Sequence, residues 1–419
     1  MLQNAGESVV VLEAKDYAGG RIRSVPFGDG VADLGAMWLD GVYGNPMAEL
    51  AEAYSAPLVR YPLWAMGEGD PRDVLAYDNA TDVLLETGTI QGHMLAFIDS
   101  VEWLRDKLDE GASMAEGRDL YVRNNLLEGD EARYAEFAVD QMLCETYYSG
   151  TSKNMSLDYF WEDESFEGGS FVFRDGYGAI IDGLASTLDI RLNTIVTKVS
   201  YGYDGVSVKT KNGEEIRAKK ALVTVPLGVL KANDIQFAPA LPAKVTRAIS
   251  RIGFGAHEKV ILAYEEKFWP GLGMIFVADA AVGSYFTFYD FTFVYGVPTL
   301  VAFNGGETSA STLSSMSDEE IVEACAREIS AMLGISAPAP VDSIVTRWKE
   351  DPFTKGSYTY VAVGSSPDDM DVLAETIGNS LYFAGEGTTS SYYGQTHGAL
   401  ISGVRAARQM NYLASLGNL

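Results

Sequence analysis

Near its C-terminal end the chain reads Leu381-Tyr382-Phe383-Ala384, then Gly385-Glu386-Gly387, then a helical pattern of small residues from about Thr396 to Leu416. A short apolar strand, a glycine turn and a helix in that order predict a parallel α/β layer that offers backbone N–H groups to a nucleotide phosphate. A second run, Ser8 to Glu13 with three valines and a leucine, predicts another strand buried on both faces. It ends in Glu13, where a dinucleotide-binding fold places the carboxylate that accepts hydrogen bonds from the adenosine ribose. In Gly19-Gly20-Arg21, just beyond, the glycine pair would let the backbone approach a pyrophosphate, and Arg21 would add a charge-assisted contact. Taken alone, these residues read equally as a strand and an ordinary glycine turn.

At 419 residues the chain exceeds one ordinary core, so two domains are expected. Apolar periodicity predicts helices at Asn45–Ser55, His93–Gly111, Glu131–Tyr148, Tyr177–Thr187 and Asp318–Leu333. Strand patterns fall at Ile195–Tyr201, Gly205–Thr210, Ala221–Val225 and Ser343–Trp348, with several more from Glu258 to Phe303, which predicts a second sheet.

A formal charge of -27 argues against nucleic acid and anionic lipid as partners and favours cationic small molecules. The same charge also reads as a solubility device. Cys144 and Cys325 form neither a metal pattern nor a disulfide framework, and His93, His257 and His397 lack i, i+4 spacing, so no metal site is expected. The apolar stretch Ala281 to Phe303 is broken by Asp290, Gly296 and Pro298 and reads as sheet, not a membrane span. With no signal peptide or apolar tail in view, a soluble protein without a membrane anchor is expected, cytoplasmic or organellar.

The segment Leu381 to Ala407, LYFAGEGTTSSYYGQTHGALISGVRAA, resembles the closing segment of flavin monoamine oxidases, polyamine oxidases and histone lysine demethylases, with FAGE, then HGA, then a small-residue helix. The resemblance implies that Gly385 and Glu386 contact the ribityl and phosphate part of FAD and that Thr396 lies by the isoalloxazine ring. A helix N-terminus there would favour the anionic reduced flavin. Asp33 to Gly41, DLGAMWLDG, is similar to the family segment that passes under the flavin, which places Ala36, Met37 and Trp38 at the cofactor. Asp40 falls where many members carry histidine and plant-type polyamine oxidases an acid, implying a carboxylate for a cationic substrate; on its own it also reads as a turn or cap aspartate.

Leu222 to Lys231 and Ile252 to Trp269 resemble further family segments. There the resemblance makes Lys259 the lysine that reaches the reactive flavin nitrogen through water. A lone cation heading an apolar strand is costly to bury unless paired or functional, although its residues alone better describe a solvent-facing strand end. Trp348 to Tyr360 resembles the family's tryptophan and aromatic segment beside the ring, with Trp348 either stacked near the flavin or an ordinary core residue. Phe171–Gly178 and Val196–Val199 resemble segments near the substrate cavity and the adenine, so Val196 joins the cofactor residues.

Three departures matter. Gln395 stands at the second position of the monoamine oxidase tyrosine cage, and no cysteine lies in the C-terminal segment, so non-covalent FAD is implied. The family also opens with a strand and a Gly-x-Gly-x-x-Gly loop, whereas Met1 here falls inside the helix that follows it. That predicts a truncated chain, lacking any targeting segment, that binds FAD poorly or folds marginally.

The resulting expectation is an α/β chain with a Rossmann-like FAD domain of the glutathione-reductase type from residues 1–61, 168–250 and 351–419. A mixed-sheet and helical substrate domain would come from 62–167 and 251–350. The activity implied is hydride transfer from an amine to FAD, hydrolysis of the imine, and reoxidation by oxygen to hydrogen peroxide. Polyamines are the first substrate expectation, from Asp40, the missing cage tyrosine and the negative charge, and a histone peptide is less supported. A desaturase or porphyrinogen-type oxidase on the same fold and a flavin-free relic are the alternatives.

Overall fold

The computed structural model describes residues 1–63, 70–277, 287–306 and 313–416, and residues 278–286 of the predicted sheet lie outside them. Two parallel strand pairs carry the nucleotide-type motifs. Val10–Leu12 pairs with Asp189–Arg191, and Ala221–Val223 with Leu381–Phe383. Leu381, Tyr382 and Phe383 are fully buried, as predicted. Val10–Leu12 is only half-buried, contrary to the expectation of burial on both faces, and among the described residues it has a partner along one edge only. A four-stranded sheet stands beside them, in the order Glu215–Ala218, Gly205–Thr210, Val196–Gly202, Gln236–Ala238.

The second sheet is seven-stranded, in the order Asp342–Val345, His257–Ala263, Thr299–Gly305, Thr287–Asp290, Gly273–Val277, Val74–Asp78, Val83–Leu84. His257–Ala263 lies inside it, antiparallel to both neighbours, and its residues alternate between faces. Val260 and Leu262 pack on Ile321, Cys325 and Ile329 of the helix Asp318–Leu333, while Ile261 joins the large central core with Phe303. The odd-numbered face is therefore the one that carries His257 and Lys259 inward.

A three-stranded sheet, Trp38–Asp40, Ser170–Phe173 and Leu58–Arg60, links the layers and pairs Asp40 with Ser170. Local signals set the helix ends. Asn45 caps Pro46–Ala53 by accepting from the Met47 N–H, and Ser113 and Ser317 form capping boxes with Glu116 and Glu320. The predicted helix Glu131–Tyr148 is α-helical only over Gly129–Phe137 and continues as a wider π-helix through Ala138–Tyr147, which turns Tyr147 toward the site described next.

Candidate functional site

The cofactor-type residues converge from distant parts of the chain. Glu13 ends its strand with Oε1 accepting from the Lys15 N–H at 2.8 Å, and burial pushes its carboxyl up while that bond opposes the shift. Its carbonyl accepts from the Thr194 N–H at 2.7 Å, which brings Val196 close to the same turn. Arg21 donates to Glu386 Oε1 at 2.7 Å and to the Ser357 carbonyl at 2.6 Å. Glu386 is 5% exposed and also accepts from Thr359 and the Gly394 N–H, so it organises the turn more than it faces solvent.

Arg21, Val223, Val225, Gly385, Glu386, Gly387 and Thr388 line a cleft. Gly385 has φ 134°, a conformation that favours glycine, and no atom lies within 4 Å of a Cβ placed there, so its backbone faces open space. A strand-end carboxylate, a glycine turn with an open backbone and a neighbouring guanidinium are the donor set and shape that part of a dinucleotide needs, and these residues fit FAD. Gly19 and Gly20 both have positive φ and fold the backbone back toward Arg21.

Beneath this, three consecutive carbonyls are gripped by two side chains. Lys259 Nζ donates to the Asp33 carbonyl at 3.1 Å and to that of Gly35, and Trp348 Nε1 donates to the Leu34 carbonyl between them at 3.0 Å. Gly35 must be glycine, since a Cβ would sit 1.7 Å from the Arg21 carbonyl oxygen. Ala36 then donates its N–H to that same carbonyl at 3.1 Å, and Met37 is buried.

Lys259 is 4% exposed, and burial pulls its ammonium down against the opposing pull of Asp33 and Glu258. Burial raises the Asp33 carboxyl, while hydrogen bonding from Ser24 and the charge of Lys259 hold it back. An ammonium has three donors. With two spent on carbonyls, one remains for a water or ligand.

Glu258, on the opposite face of the strand, accepts from Thr346 Oγ1 at 2.7 Å and the Lys349 N–H at 2.9 Å and so sets Trp348 against Lys259. Lys15 Nζ, on Asp351 at 2.5 Å and 5.1 Å from the Trp348 ring centroid, ties the Glu13 turn to the same tryptophan.

The third region surrounds Asp40. Its Oδ1 accepts from Ser170 Oγ at 2.9 Å. Tyr147, Tyr177 and Tyr358 lie within its field: burial raises all three phenols first, and the Asp40 charge raises them further. Tyr358 OH donates to the Tyr147 carbonyl at 3.0 Å, and Tyr177 OH shares a 2.5 Å hydrogen bond with Thr396 Oγ1 at the start of the last helix. A carboxylate whose charge acts on three buried phenols suits an organic ammonium, which aromatic rings and a negative charge both attract.

The chain therefore brings Arg21 to Glu386, Lys259 and Trp348 to the Asp33–Gly35 backbone, and Thr396 to Tyr177. Gln395 adjoins this last contact and caps nothing with its side chain in the described hydrogen bonds. The Trp38 indole lies in an aromatic cluster with Tyr61, Tyr289, Phe291 and Phe303, and its Nε1 is buried without a partner among the described residues. Sequence reasoning missed Asp33, whose carboxylate accepts from the Tyr177 N–H at 3.0 Å, and Arg405, which holds the Phe383 and Thr388 carbonyls around the glycine turn. It also assigned no role to His257, although its place two residues before Lys259 puts it on the same strand face.

A family model described as flavin containing amine oxidoreductase matches residues 1–411. The chain is 35% identical over 429 residues to lysine-specific histone demethylase 1 homolog 1 of Arabidopsis thaliana, covering 97% of this chain and 49% of that protein. It is 33% identical over 430 residues to polyamine oxidase 2 of Arabidopsis thaliana, covering 100% of this chain and 86% of that one. The chain thus spans about half the length of the histone demethylase homologues it matches. Among solved structures, a putrescine oxidase redesigned in its cofactor binding superposes with a TM-score of 0.76 at 20% identity, over 98% of this chain and 95% of that one. At that identity the likeness speaks for the fold alone.

Proposed function

The chain belongs to the flavin-containing amine oxidoreductases, and from that premise we propose that it oxidises a multiply cationic aliphatic amine, a polyamine first, with non-covalently held FAD. The observation that carries the reading is Asp40 among Tyr147, Tyr177 and Tyr358, five residues along the chain from the backbone that Lys259 holds.

FAD held there would supply an acceptor for the hydride on the carbon beside a neutral amine and a route for the electrons to oxygen, with hydrogen peroxide as the product. Everything else falls to the protein. Glu13 would take the ribose hydroxyls, with Val196 on the adenine side, and Arg21 with Gly385 and its turn would take the phosphates. Lys259 and Trp348 hold residues 33–35 rigid, so Ala36 and Met37 present a fixed surface to the ring. The free Lys259 donor can hold a water at that surface, and Thr396 contributes the positive end of a 21-residue helix. Asp40 would attract one ammonium of the substrate, and a carbon next to a second, neutral nitrogen would then be held facing the ring. Water hydrolyses the imine product to a carbonyl and an amine.

Cys144 and Cys325 are both free and fully buried, and neither lies in the segments assigned to the cofactor, which supports non-covalent binding. The division into a cofactor domain (1–61, 168–250, 351–419) and a substrate domain (62–167, 251–350) stands as part of this proposal. A charge of -27 supports a small cation and opposes a nucleic acid partner. A methylated lysine peptide is the second reading, favoured by the 35% identity to the demethylase homologue.

The test follows peroxide release from purified protein with spermidine, a monoamine, a methyl-lysine peptide and a porphyrinogen. Turnover of spermidine above the others is the expected result, and turnover confined to the porphyrinogen would overturn the proposal.

A further inference from the structure

Resting on this reading of the amine site, we infer that His257 is a specificity-determining contact, whose Nε2 accepts a hydrogen bond from an N–H of the bound amine. The imidazole is held from three sides. Its backbone N–H donates to Ser357 Oγ at 2.7 Å, and Ser357 Oγ donates back to the His257 carbonyl at 3.0 Å, so one hydroxyl clamps the residue next to Tyr358. The ring stacks on Phe303 at 5.3 Å and 15° and meets Tyr358 edge-on at 6.0 Å. Phe303 is the cross-strand partner of Lys259, whose Nζ lies 5.7 Å from the same ring centroid.

This rigid ring has a nitrogen that is buried with no partner among the described residues. A buried polar atom left unpaired is costly and calls for an explanation, and a ligand atom supplies one. The location fits, because the ring meets Tyr358, whose OH donates to the Tyr147 carbonyl at 3.0 Å, and the Asp40 charge acts on both phenols. Across Phe303, Trp38 Nε1 is a second nitrogen without a partner among the described residues, on the same aromatic wall. Burial first, and then the charge of Lys259, pulls His257 down to about 3, so the ring stays neutral and offers a lone pair. Asp40 and the tyrosines then read positive charge, while His257 reads the presence of an N–H. A site built to hydrogen-bond a substrate group rejects an analogue that lacks it.

Two dications of similar length separate these functions. 1,4-Diguanidinobutane carries N–H donors but no free amine to oxidise, and 1,4-bis(trimethylammonium)butane carries charge without N–H. Both are titrated by calorimetry into the flavin-loaded protein, into His257→Phe, which keeps the stacking ring, and into His257→Gln, which keeps an acceptor. The expected result is a loss of about tenfold in diguanidinobutane affinity in His257→Phe, the worth of one hydrogen bond. His257→Gln should recover most of it, and the bis-quaternary cation should bind all three forms alike. Equal weakening of both ligands, or none, in His257→Phe would overturn the inference while leaving the functional reading intact. Failure of the unaltered protein to bind either dication would overturn the functional reading and the inference with it.

Discussion

Replacing Lys259 with methionine keeps the length and apolar stem of the side chain and removes only the ammonium. Two charge-assisted hydrogen bonds, to the Asp33 and Gly35 carbonyls, are lost. At roughly 1.5 to 3 kcal/mol each, that is about 3 to 6 kcal/mol against the variant. The ammonium is also 4% exposed, and removing a buried charge relieves a desolvation cost of several kcal/mol. The two terms nearly cancel, and the net change in folding stability should stay within about 2 kcal/mol.

Function has no such offset. Of the side-chain donors on the carbonyls of residues 33–35 only Trp348 remains, and the donor available to a water at the flavin disappears. A loss on the order of 10² in flavin reduction or reoxidation is expected, the usual effect of removing a positioned polar group. Denaturant unfolding of the flavin-loaded protein gives the first quantity, and stopped-flow measurement of each half-reaction gives the second. A variant with both half-reactions unchanged would refute the assignment. A collapse in stability of 5 kcal/mol or more, roughly the cost of an uncompensated buried charge, would refute the cancellation.

Asp40→Asn should weaken turnover of a polyamine more than that of a monoamine, by about 2 kcal/mol or more in kcat/KM; equal losses would make the carboxylate structural. Gly35→Ala forces a Cβ to within 1.7 Å of a backbone oxygen and should cost about 3 kcal/mol and release flavin. Gly92→Ala, where the helix leaves open space, should gain about 1 kcal/mol as the control, and matching melting curves for the two variants would contradict the packing. His257, at about 3 in the folded chain against 6.5 unfolded, binds fewer protons when folded, so its stabilisation is complete above 6.5 and is lost as pH falls toward 3. His257→Phe should therefore gain on the unaltered protein across that window by up to about 1.4 kcal/mol per pH unit, and parallel stability profiles would show that the ring does not titrate there.

Elements with strong local signals were legible. The helix Asp318–Leu333 carries its own start in the Ser317–Glu320 box and its stop in Gly334, and both ends fall where the sequence puts them. The last helix begins at Thr396, as its pattern predicts. The π-helix after Phe137 was not legible, because apolar spacing does not distinguish an inserted residue from ordinary helix drift. Asp33 illustrates the limit at the site: it lies inside a quoted motif, but its partners Tyr177 and Lys259 are 144 and 226 residues away in sequence. Arg21 and Glu386, 365 residues apart, were both expected at the cofactor, yet their ion pair exists only after folding. His257 went unremarked because nothing in the sequence shows which strand neighbours leave a ring nitrogen unpaired.

The central claim is that this chain holds FAD and lets a cationic amine reduce it, and the direct test is to add spermidine to the purified protein under anaerobic conditions while recording the visible spectrum. An oxidised band at about 450 nm that bleaches with spermidine and returns when oxygen is admitted, with peroxide formed, is the predicted result. A flavin band that spermidine leaves unchanged, or a purified and added-back protein with no flavin band at all, would contradict it.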